Sequence, residues 1–481
     1  MWLPTLLALL ATPLGRGDDD ENPPPKRPNL VLIVADDLGV GELGCYGQQK
    51  IETPRLDAMA REGLRFTRFY AAAPVCAPAR CSLLTGLHGG HAFVRDNLEF
   101  PDEGQLALAA GTVTLPRLLQ QAGYETAMVG KWGLGGPRSS GEPNAQGFDH
   151  WFGYYCQRQA QTFYPDHLWR DGKKVPLPGN RDDGVTGSQY SHDLFLEEIE
   201  RFLRGPHAKP FFLYLPFTLP HVALQPEEED LARYRGRFEE TPYDGEYGYV
   251  PHDTPRAAYA AMISRLDKDV GRVLDLLRET GGEENTLVLF VSDNGPTSDA
   301  GGADTRFFNS TGGLRGRKGT LYEGGIRVPL IARWPGHVPA GKTSAWIGAH
   351  YDLVPTLLGL AGASVPAGLD GLSFAMVLLG GELRGERAPE HEFLLWEFHG
   401  YGGQQAVRLG RWKGVRFDLL TEFSSLELYD LETSERETKN VAAENPEVVA
   451  RLLSILEREH EPSREFPFPL LDLAIPRSGG F

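Results

Sequence analysis

Cysteine and basic charge are both scarce in this sequence. Only four cysteines occur in 481 residues, which excludes a fold stabilised mainly by disulfide bonds. The 48 Lys and Arg residues are outnumbered by 65 Asp and Glu residues, and the formal net charge is −17. Because nucleic-acid binding needs a basic face and no long basic run occurs, a nucleic-acid partner is not expected. Any anionic substrate must therefore be held by a local cluster of basic side chains.

Long apolar runs are also lacking, apart from the N-terminus. Residues 1–15 have the length and leucine content of a signal-peptide core but are too short to span a bilayer. We predict a signal peptide over residues 1–17, an acidic and proline-rich spacer over residues 18–27, and a secreted or periplasmic protein without a transmembrane segment. No basic residue precedes the apolar run, so a disordered or anchored N-terminus is the alternative.

The rest of the chain alternates between strand and helix patterns. Apolar runs at residues 29–35, 211–217 and 286–291 are typical of strands buried on both faces of a parallel sheet, and residues 124–129 are also predicted to form a strand. Residues 256–280 carry apolar side chains at helical spacing. These patterns predict an α/β fold in which a large mixed, mostly parallel sheet is flanked by helices. We assign this domain to residues 28–360.

The pattern changes after Pro355, where the strand runs become short. We predict strands at residues 393–397, 405–408 and 412–416, a turn at residues 428–431 and a helix at residues 446–459. A smaller C-terminal α+β domain over residues 372–481, with an antiparallel sheet and a packed helix, is therefore expected.

Oxygen-bearing side chains follow two of the buried strands. Asp36 and Asp37 come directly after residues 29–35, and Asp293 and Asn294 come after residues 286–291. Adjacent carboxylates repel unless a cation lies between them or one is protonated. Two such pairs converging on one point would suit a hard cation, Ca²⁺ or with less preference Mg²⁺, rather than Zn²⁺. A solvated loop with a helix cap is the alternative for either pair alone.

Cys76 lies at the predicted start of a helix, four residues before Arg80. Pro78 suits the first turn of a helix because it fixes φ and needs no N–H there. A side chain at this point would lie at the positive end of the helix dipole, with a guanidinium one turn away. Such a place activates a nucleophile or holds an oxyanion, whereas a buried structural thiol is the simpler interpretation of Cys76 alone.

Three further basic or titratable residues lie where ligands bind in α/β sheets. Lys131 ends the strand at residues 124–129, His221 follows the strand at residues 211–217, and Lys318 lies in a glycine-rich loop. A lysine in such a loop can approach an anion closely, and a histidine can donate a proton to a leaving group. Read alone, Lys131 would more often be a surface lysine and His221 a hydrogen-bonded loop histidine.

Together these segments resemble the blocks of the type I, formylglycine-dependent sulfatases, an arylsulfatase-like family of the alkaline phosphatase superfamily. The matching blocks occur in the family's order: Asp36-Asp37, Cys76-x-Pro78-x-Arg80, Gly130-Lys131-Trp132, Pro220-His221, Asp293-Asn294-Gly295, and Gly316-x-Lys318-Gly319 through Glu323-Gly324-Gly325. The resemblance implies an alkaline phosphatase-like fold and hydrolysis of sulfate esters, with aryl sulfates as artificial substrates.

The resemblance also implies roles for individual residues. Asp36, Asp37, Asp293 and Asn294 would bind Ca²⁺, with residue 76, derived from Cys76, as a further ligand. Cys76 would be converted to formylglycine (3-oxoalanine) by a formylglycine-generating enzyme. The sulfate of a sulfated saccharide would be held by Arg80, Lys131 and Lys318, with His91 as a further substrate-binding residue. His221 would face the leaving oxygen. Residues 76, 80, 131, 221 and 318 would thus carry out catalysis.

One position departs from the family pattern. Similar enzymes usually carry Lys-Trp-His, whose histidine is thought to accept a proton during sulfate release, but this chain has Gly133 there. His88 or His91 is a candidate replacement. The departure leaves a catalytically impaired sulfated-glycan binder as one alternative function. A phosphomonoesterase or phosphodiesterase of the same superfamily is another, and a purely structural secreted protein is a third.

Overall fold

The computed structural model describes residues 27–474 except 102, 182 and 423. The predicted signal peptide and all but the last residue of the predicted spacer lie outside these residues. Its strands are β1 Asn29–Ala35, β2 Leu64–Tyr70, β3 Glu99–Phe100, β4 Gly104–Gln105, β5 Glu125–Lys131, β6 His150–Tyr154, β7 His167–Arg170, β8 Lys173–Pro176, β9 Phe211–Pro216, β10 Thr286–Ser292, β11 Arg327–Arg333, β12 Lys342–Ala349, β13 Leu394–Phe398, β14 Gln404–Leu409, β15 Trp412–Arg416 and β16 Glu427–Asp430.

Helices lie between most of these strands. They are α1 Pro54–Arg61, α2 Cys76–Thr85, α3 Leu115–Gln121, α4 Ser191–Leu203, α5 Glu228–Ala232, α6 Pro255–Glu279, α7 Glu323–Ile326, α8 Leu353–Leu360, α9 Ala375–Leu378, α10 Pro446–Arg458 and α11 Pro469–Ala474. Within the described ranges, no helix is both long and apolar enough to cross a membrane.

Ten strands form one large sheet in the order β12-β2-β11-β10-β1-β9-β5-β6-β7-β8. The five central strands, from β10 to β6, run parallel to their neighbours. Antiparallel pairs flank them on both sides, at β10–β11–β2 and β6–β7–β8. Because the central strands share a direction, their carboxyl ends, and the loops that follow them, meet at one edge of the sheet.

Strand β1 is buried on both faces, as its continuous apolar run predicts. Val31 and Ile33 pack with α6 on one face, while Leu30 and Leu32 pack with α2 and α8 on the other. Since two helical layers cover the sheet, the predicted α/β class with a mixed, mostly parallel sheet is confirmed.

A separate antiparallel sheet, β13-β14-β15-β16, carries α10 against it. The predicted turn at residues 428–431 is wrong, because residues 427–430 form the edge strand β16. Leu428 and Tyr429 are buried, and backbone pairing with β15 extends this short segment. The sequence did not indicate this strand because its pairing with β15 is not encoded in the local pattern of residues 428–431.

His150, at the start of β6, offers a test of how an ion pair stabilises the sheet. Its ring donates to Asp171 Oδ2 at 2.9 Å and to Glu198 Oε1 at 2.7 Å. Burial alone would lower the pKa of His150, but these two hydrogen bonds raise it to about 9. The charged ring therefore stabilises the fold fully below its unfolded pKa of about 6.5, and this contribution is lost as the pH rises through 9.

We expect His150→Gln to lower the free energy of unfolding by about 1–2 kcal/mol at pH 6, because solvent partly screens this ion pair, and by much less at pH 9.5. Urea unfolding at the two pH values measures this difference. His337→Gln is the control, because His337 is exposed and its ring contacts the Pro335 carbonyl and the Trp334 ring rather than a carboxylate. An equal loss for His150→Gln at both pH values would contradict the ion-pair explanation.

Candidate active site

The two predicted pairs of oxygen ligands lie side by side. Strands β1 and β10 are parallel neighbours with Ala35 opposite Ser292, so both pairs leave the sheet at the same level. The Asp37 N–H donates to Asp293 Oδ1 at 3.1 Å, and Asn294 Nδ2 donates to Asp37 Oδ1 at 2.8 Å. All four side chains are fully buried. Asp37 adopts a φ of 65°, a left-handed conformation that aspartate tolerates in tight turns.

Helix α2 places Cys76 beside these carboxylates. Cys76 is the first residue of the helix, and Pro78 falls within the first turn, where no intrahelical N–H bond is needed. The Cys76 Sγ lies 3.3 Å from Asp36 Oδ1 and 4.0 Å from Asp37 Oδ1. Asn97 holds the start of the helix, because its Oδ1 accepts the Ala77 N–H at 3.0 Å.

Three basic side chains point into the same cluster, and each pairs with a different carboxylate. Lys131 Nζ lies 2.6 Å from Asp36 Oδ2, Lys318 Nζ lies 2.7 Å from Asp37 Oδ2, and Arg80 Nη2 lies 3.0 Å from Asp293 Oδ2. Three negative and three positive groups thus balance in a buried site. A divalent cation added to this set would leave an excess of positive charge, which favours an anionic substrate.

The small sheet helps to hold Lys318 in place. Gln404, on β14, donates its Nε2 to the Gly319 carbonyl at 2.8 Å and accepts the Leu321 N–H at 3.1 Å. Lys413, on β15, is fully buried and lies 2.9 Å from Glu323 Oε1. Side chains of the C-terminal sheet therefore hold the glycine-rich loop, and with it Lys318, in position.

His221 lies beside both Lys318 and Asp37, with its Nε2 3.5 Å from Asp37 Oδ2. Its Nε2 accepts from the Lys318 ammonium at 3.0 Å, and its Nδ1 donates to the Val222 carbonyl. Burial lowers the pKa of His221 to about 4, and the charge of Lys318 adds to this. With the protein alone, the ring is neutral at pH 7 and carries its proton on Nδ1.

The carboxylates repel one another despite the basic partners. Burial raises the pKa of Asp293 to about 6, and the charge of Asp36 adds to the rise. Burial also opposes ionisation of Asp36, but Lys131 and other cationic neighbours hold its pKa well below the usual range. The pKa of the Cys76 thiol is raised by burial and by the charge of Asp36, so the unmodified thiol is protonated. A thiolate nucleophile is disfavoured in this cluster.

The donor set fits a hard cation. Asp36, Asp37, Cys76 and His221 each offer a ligand atom, and these atoms lie within 4.8 Å of one another. Asn294 Oδ1 is buried and has no hydrogen-bond partner among the described residues. A buried carbonyl oxygen without a partner is costly, and carboxylate and amide oxygens are the ligands that Ca²⁺ and Mg²⁺ prefer. The residues present therefore form an acidic cluster suited to a metal.

Comparisons with known proteins agree with this chemistry. A family model described as Sulfatase matches residues 28–363. The chain belongs to the sulfatase family. A second model, described as N-sulphoglucosamine sulphohydrolase, C-terminal, matches residues 317–461. The predicted family and fold are thus confirmed, and this sulfatase is a sulfuric ester hydrolase.

Individual relatives cover most of this sulfatase. N-acetylgalactosamine-6-sulfatase of Rattus norvegicus is 35% identical over 385 residues, which cover 75% of this chain and 67% of that protein. Arylsulfatase G of Canis lupus familiaris is 35% identical over 426 residues, which cover 81% of this chain and 74% of that protein. The solved structure of Ps i-CgsB in complex with k-i-k-neocarrahexaose superposes with a TM-score of 0.76 at 26% identity, covering 94% of this chain and 98% of that chain.

His88 and His91 of this sulfatase lie together in another cluster. Their rings stack with centroids 4.2 Å apart, and His91 Nδ1 lies 2.9 Å from Asp370 Oδ1. His88 Nδ1 accepts the Gly90 N–H at 3.2 Å, so the neutral His88 ring carries its proton on Nε2, near Asp370 and Glu459. Both rings therefore lie next to the carboxylates of Asp370 and Glu459. The roles predicted for His88 and His91 stay predictions.

Gly133 has a neighbour that the sequence did not reveal. Its φ is 80°, and a Cβ added there would lie 1.9 Å from Gln157 Nε2. The Gln157 amide therefore fills the space beside Gly133. Neither Gln157 nor Asn97 belongs to a recognisable motif, and only the pairing of β5 with β6 brings Gln157 to this place.

Proposed function

We propose that this sulfatase hydrolyses sulfate esters carried by saccharides, with a formylglycine at position 76 and Ca²⁺ as the metal. The observation that carries the proposal is the meeting of Cys76, three carboxylates and three basic side chains in one buried cluster. The saccharide is proposed because the relatives include an N-acetylgalactosamine-6-sulfatase and the solved neighbour holds a neocarrahexaose. The domain boundaries at residues 28–360 and 372–481 belong to the same proposal.

In this proposal the metal is held by Asp36, Asp37, Asp293 and Asn294, beside residue 76. When bound, Ca²⁺ would supply positive charge to sulfate oxygens. The unpartnered Asn294 Oδ1 and the raised pKa of Asp293 support this assignment, because a cation would satisfy the first and relieve the second.

The basic side chains hold and orient the sulfate. Arg80 lies beside both Asp36 and Asp293, Lys131 lies at Asp36, and Lys318 lies at Asp37. A sulfate ester is anionic and weakly electrophilic, so ammonium and guanidinium groups around its oxygens stabilise the charge that grows as the S–O bond breaks. His221, with Nε2 toward Lys318, is placed to exchange a proton with the leaving oxygen through that contact or directly.

Residue 76 supplies the nucleophile. A hydrated formylglycine there offers one hydroxyl to attack sulfur and a second whose loss of a proton permits sulfate release. The protonated state of the unmodified thiol supports a modified residue over a thiolate. Conversion requires a formylglycine-generating enzyme. From the apolar run at residues 1–15 we also propose a signal peptide over residues 1–17 and a secreted or periplasmic location.

A substrate panel tests the function. The protein is expressed with a formylglycine-generating enzyme and given sulfated mono- and oligosaccharides, an aryl sulfate and the matching phosphate esters. We expect sulfate release from a subset of the saccharides and from the aryl sulfate, with at least about 100-fold lower kcat/KM on each phosphate analogue. Such a ratio corresponds to a difference of about 2.7 kcal/mol in transition-state binding.

Two results of the panel would overturn the proposal. Saccharide affinity without any sulfate release would favour a sulfated-glycan binder. Faster turnover of the phosphate esters would favour a phosphatase of the same superfamily. Sulfate release only from the aryl sulfate would support sulfatase activity but would contradict the proposal that the substrate is a saccharide.

A further inference from the structure

Gln157 follows the strand next to Lys131. Lys131 ends β5 and lies opposite Tyr154, the last residue of β6. The two chains stay paired beyond the strands, because the Trp132 N–H donates to the Tyr154 carbonyl and the Gly133 N–H donates to the Tyr155 carbonyl, both at 2.9 Å. Gln157 therefore emerges at the edge of the sheet that carries the candidate active site.

The Gln157 amide occupies the place of a side chain at position 133. A Cβ on Gly133 would lie 1.9 Å from Nε2 and 3.0 Å from Cδ of Gln157. Position 133 is two residues after Lys131, just beyond the carboxyl end of β5, where the loops of the parallel strands meet. The amide thus lies at the edge of the sheet from which Lys131 reaches the carboxylates.

The amide is buried and unsatisfied. Gln157 is only 3% exposed, yet neither its Nε2 nor its Oε1 has a hydrogen-bond partner within the described part of the chain. Gln225 is buried to a similar degree, at 6% exposed, and both of its amide ends are bonded to backbone groups. Because buried polar groups are nearly always paired, the Gln157 amide requires a partner that the described residues do not supply.

The chemistry of that partner follows from the two unpaired ends. Nε2 can only donate and Oε1 can only accept, so one group that satisfies both must itself accept and donate. A sulfate ester offers acceptors alone, whereas a saccharide hydroxyl offers both. The backbone of Gln157 is held in position, since its N–H donates to Gln105 Oε1 at 3.0 Å. The amide is therefore preorganised to bind a hydroxyl.

We propose that Gln157 is a substrate-binding residue that hydrogen-bonds a saccharide hydroxyl neighbouring the sulfate ester. This inference rests on the proposed sulfatase function at the same site. Gln157 takes the space that Gly133 leaves but exchanges no proton, so it contributes to recognition of the sugar and not to acid–base chemistry. The contact discriminates between saccharide sulfates and sulfate esters that lack a neighbouring hydroxyl.

Gln157→Ala separates these substrates. We expect kcat/KM on the preferred sulfated saccharide to fall by about 10- to 100-fold, the loss typical of two hydrogen bonds. On an aryl sulfate such as 4-nitrophenyl sulfate, kcat/KM should change by less than about 3-fold. Gln225→Ala is the matched control, because Gln225 is buried to a similar degree but both ends of its amide are bonded to backbone groups. The control should lower neither value selectively.

Two further measurements keep the test decisive. Gly133→Ala, whose methyl group would displace the amide, should reproduce the saccharide-selective loss, and thermal unfolding identifies any variant that fails to fold. Equal losses on both substrates, or no loss on either, would overturn the role of Gln157. If the wild-type protein released no sulfate from any ester, the proposed function itself would fail, which is a different outcome.

Discussion

Replacing Cys76 by alanine is expected to abolish sulfate release while leaving the fold intact. Cys76 begins α2 beside Asp36 and Asp37, and alanine fits the same buried position without its sulfur. Loss of the nucleophile should lower kcat by about 10⁴-fold or more, in the range seen when other hydrolases lose theirs. Direct measurement of released sulfate, with circular dichroism as the fold check, tests this expectation.

Cys81→Ala is the matched control for Cys76→Ala. Cys81 lies on the same helix and is equally buried, but it packs in the apolar core and contacts none of the carboxylates of the cluster. This variant should keep its activity and lose a little stability from the lost packing. Peptide mass spectrometry of the wild-type protein should show the aldehyde at position 76. Full activity of Cys76→Ala would refute covalent catalysis at this residue.

The parts of the fold that the sequence predicts are those governed by local patterns. The run of β-branched residues in β1 identifies a strand buried on both faces, and Pro78 marks the first turn of α2. Strand β16 was missed because its pairing with β15 involves contacts that no local pattern encodes. Long-range pairing, not local propensity, decides such short edge strands.

The candidate site likewise has some features that the sequence predicts and others that it does not. Convergence of Asp36 and Asp293 follows from the rule that parallel strands end at one edge of the sheet. The sequence does not predict that Lys131, Lys318 and Arg80 each pair with a different carboxylate, because these contacts join segments 95 to 281 residues apart. The sequence did not indicate Gln157 either, because only the folded chain places its amide in the space beside Gly133.

Asn294→Leu is expected to separate metal binding from the rest of the site. Asn294 offers the one buried ligand oxygen of the cluster that lacks a hydrogen bond within the described residues, and leucine has the same branched shape without an oxygen. We expect the variant to bind Ca²⁺ at least about 100-fold more weakly, since losing even groups that only support ligands costs 10- to 100-fold. Activity should fall at low Ca²⁺ and recover in part at millimolar Ca²⁺.

Thermal and chemical unfolding provide a measure of binding that does not depend on catalysis. At a free Ca²⁺ concentration of 100 times Kd, binding should stabilise the wild-type protein by about 2.7 kcal/mol relative to chelated protein. Asn294→Leu should lose most of this difference, whereas Asn294→Asp should keep it, because an oxygen remains in place. Asn285→Leu, before the opposite end of β10, is the control and should respond to Ca²⁺ like the wild type. The contradicting outcome is that chelation changes neither the stability nor the activity of the wild-type protein. In that case Lys131, Lys318 and Arg80 alone would balance the carboxylates, and the proposed metal site would be wrong.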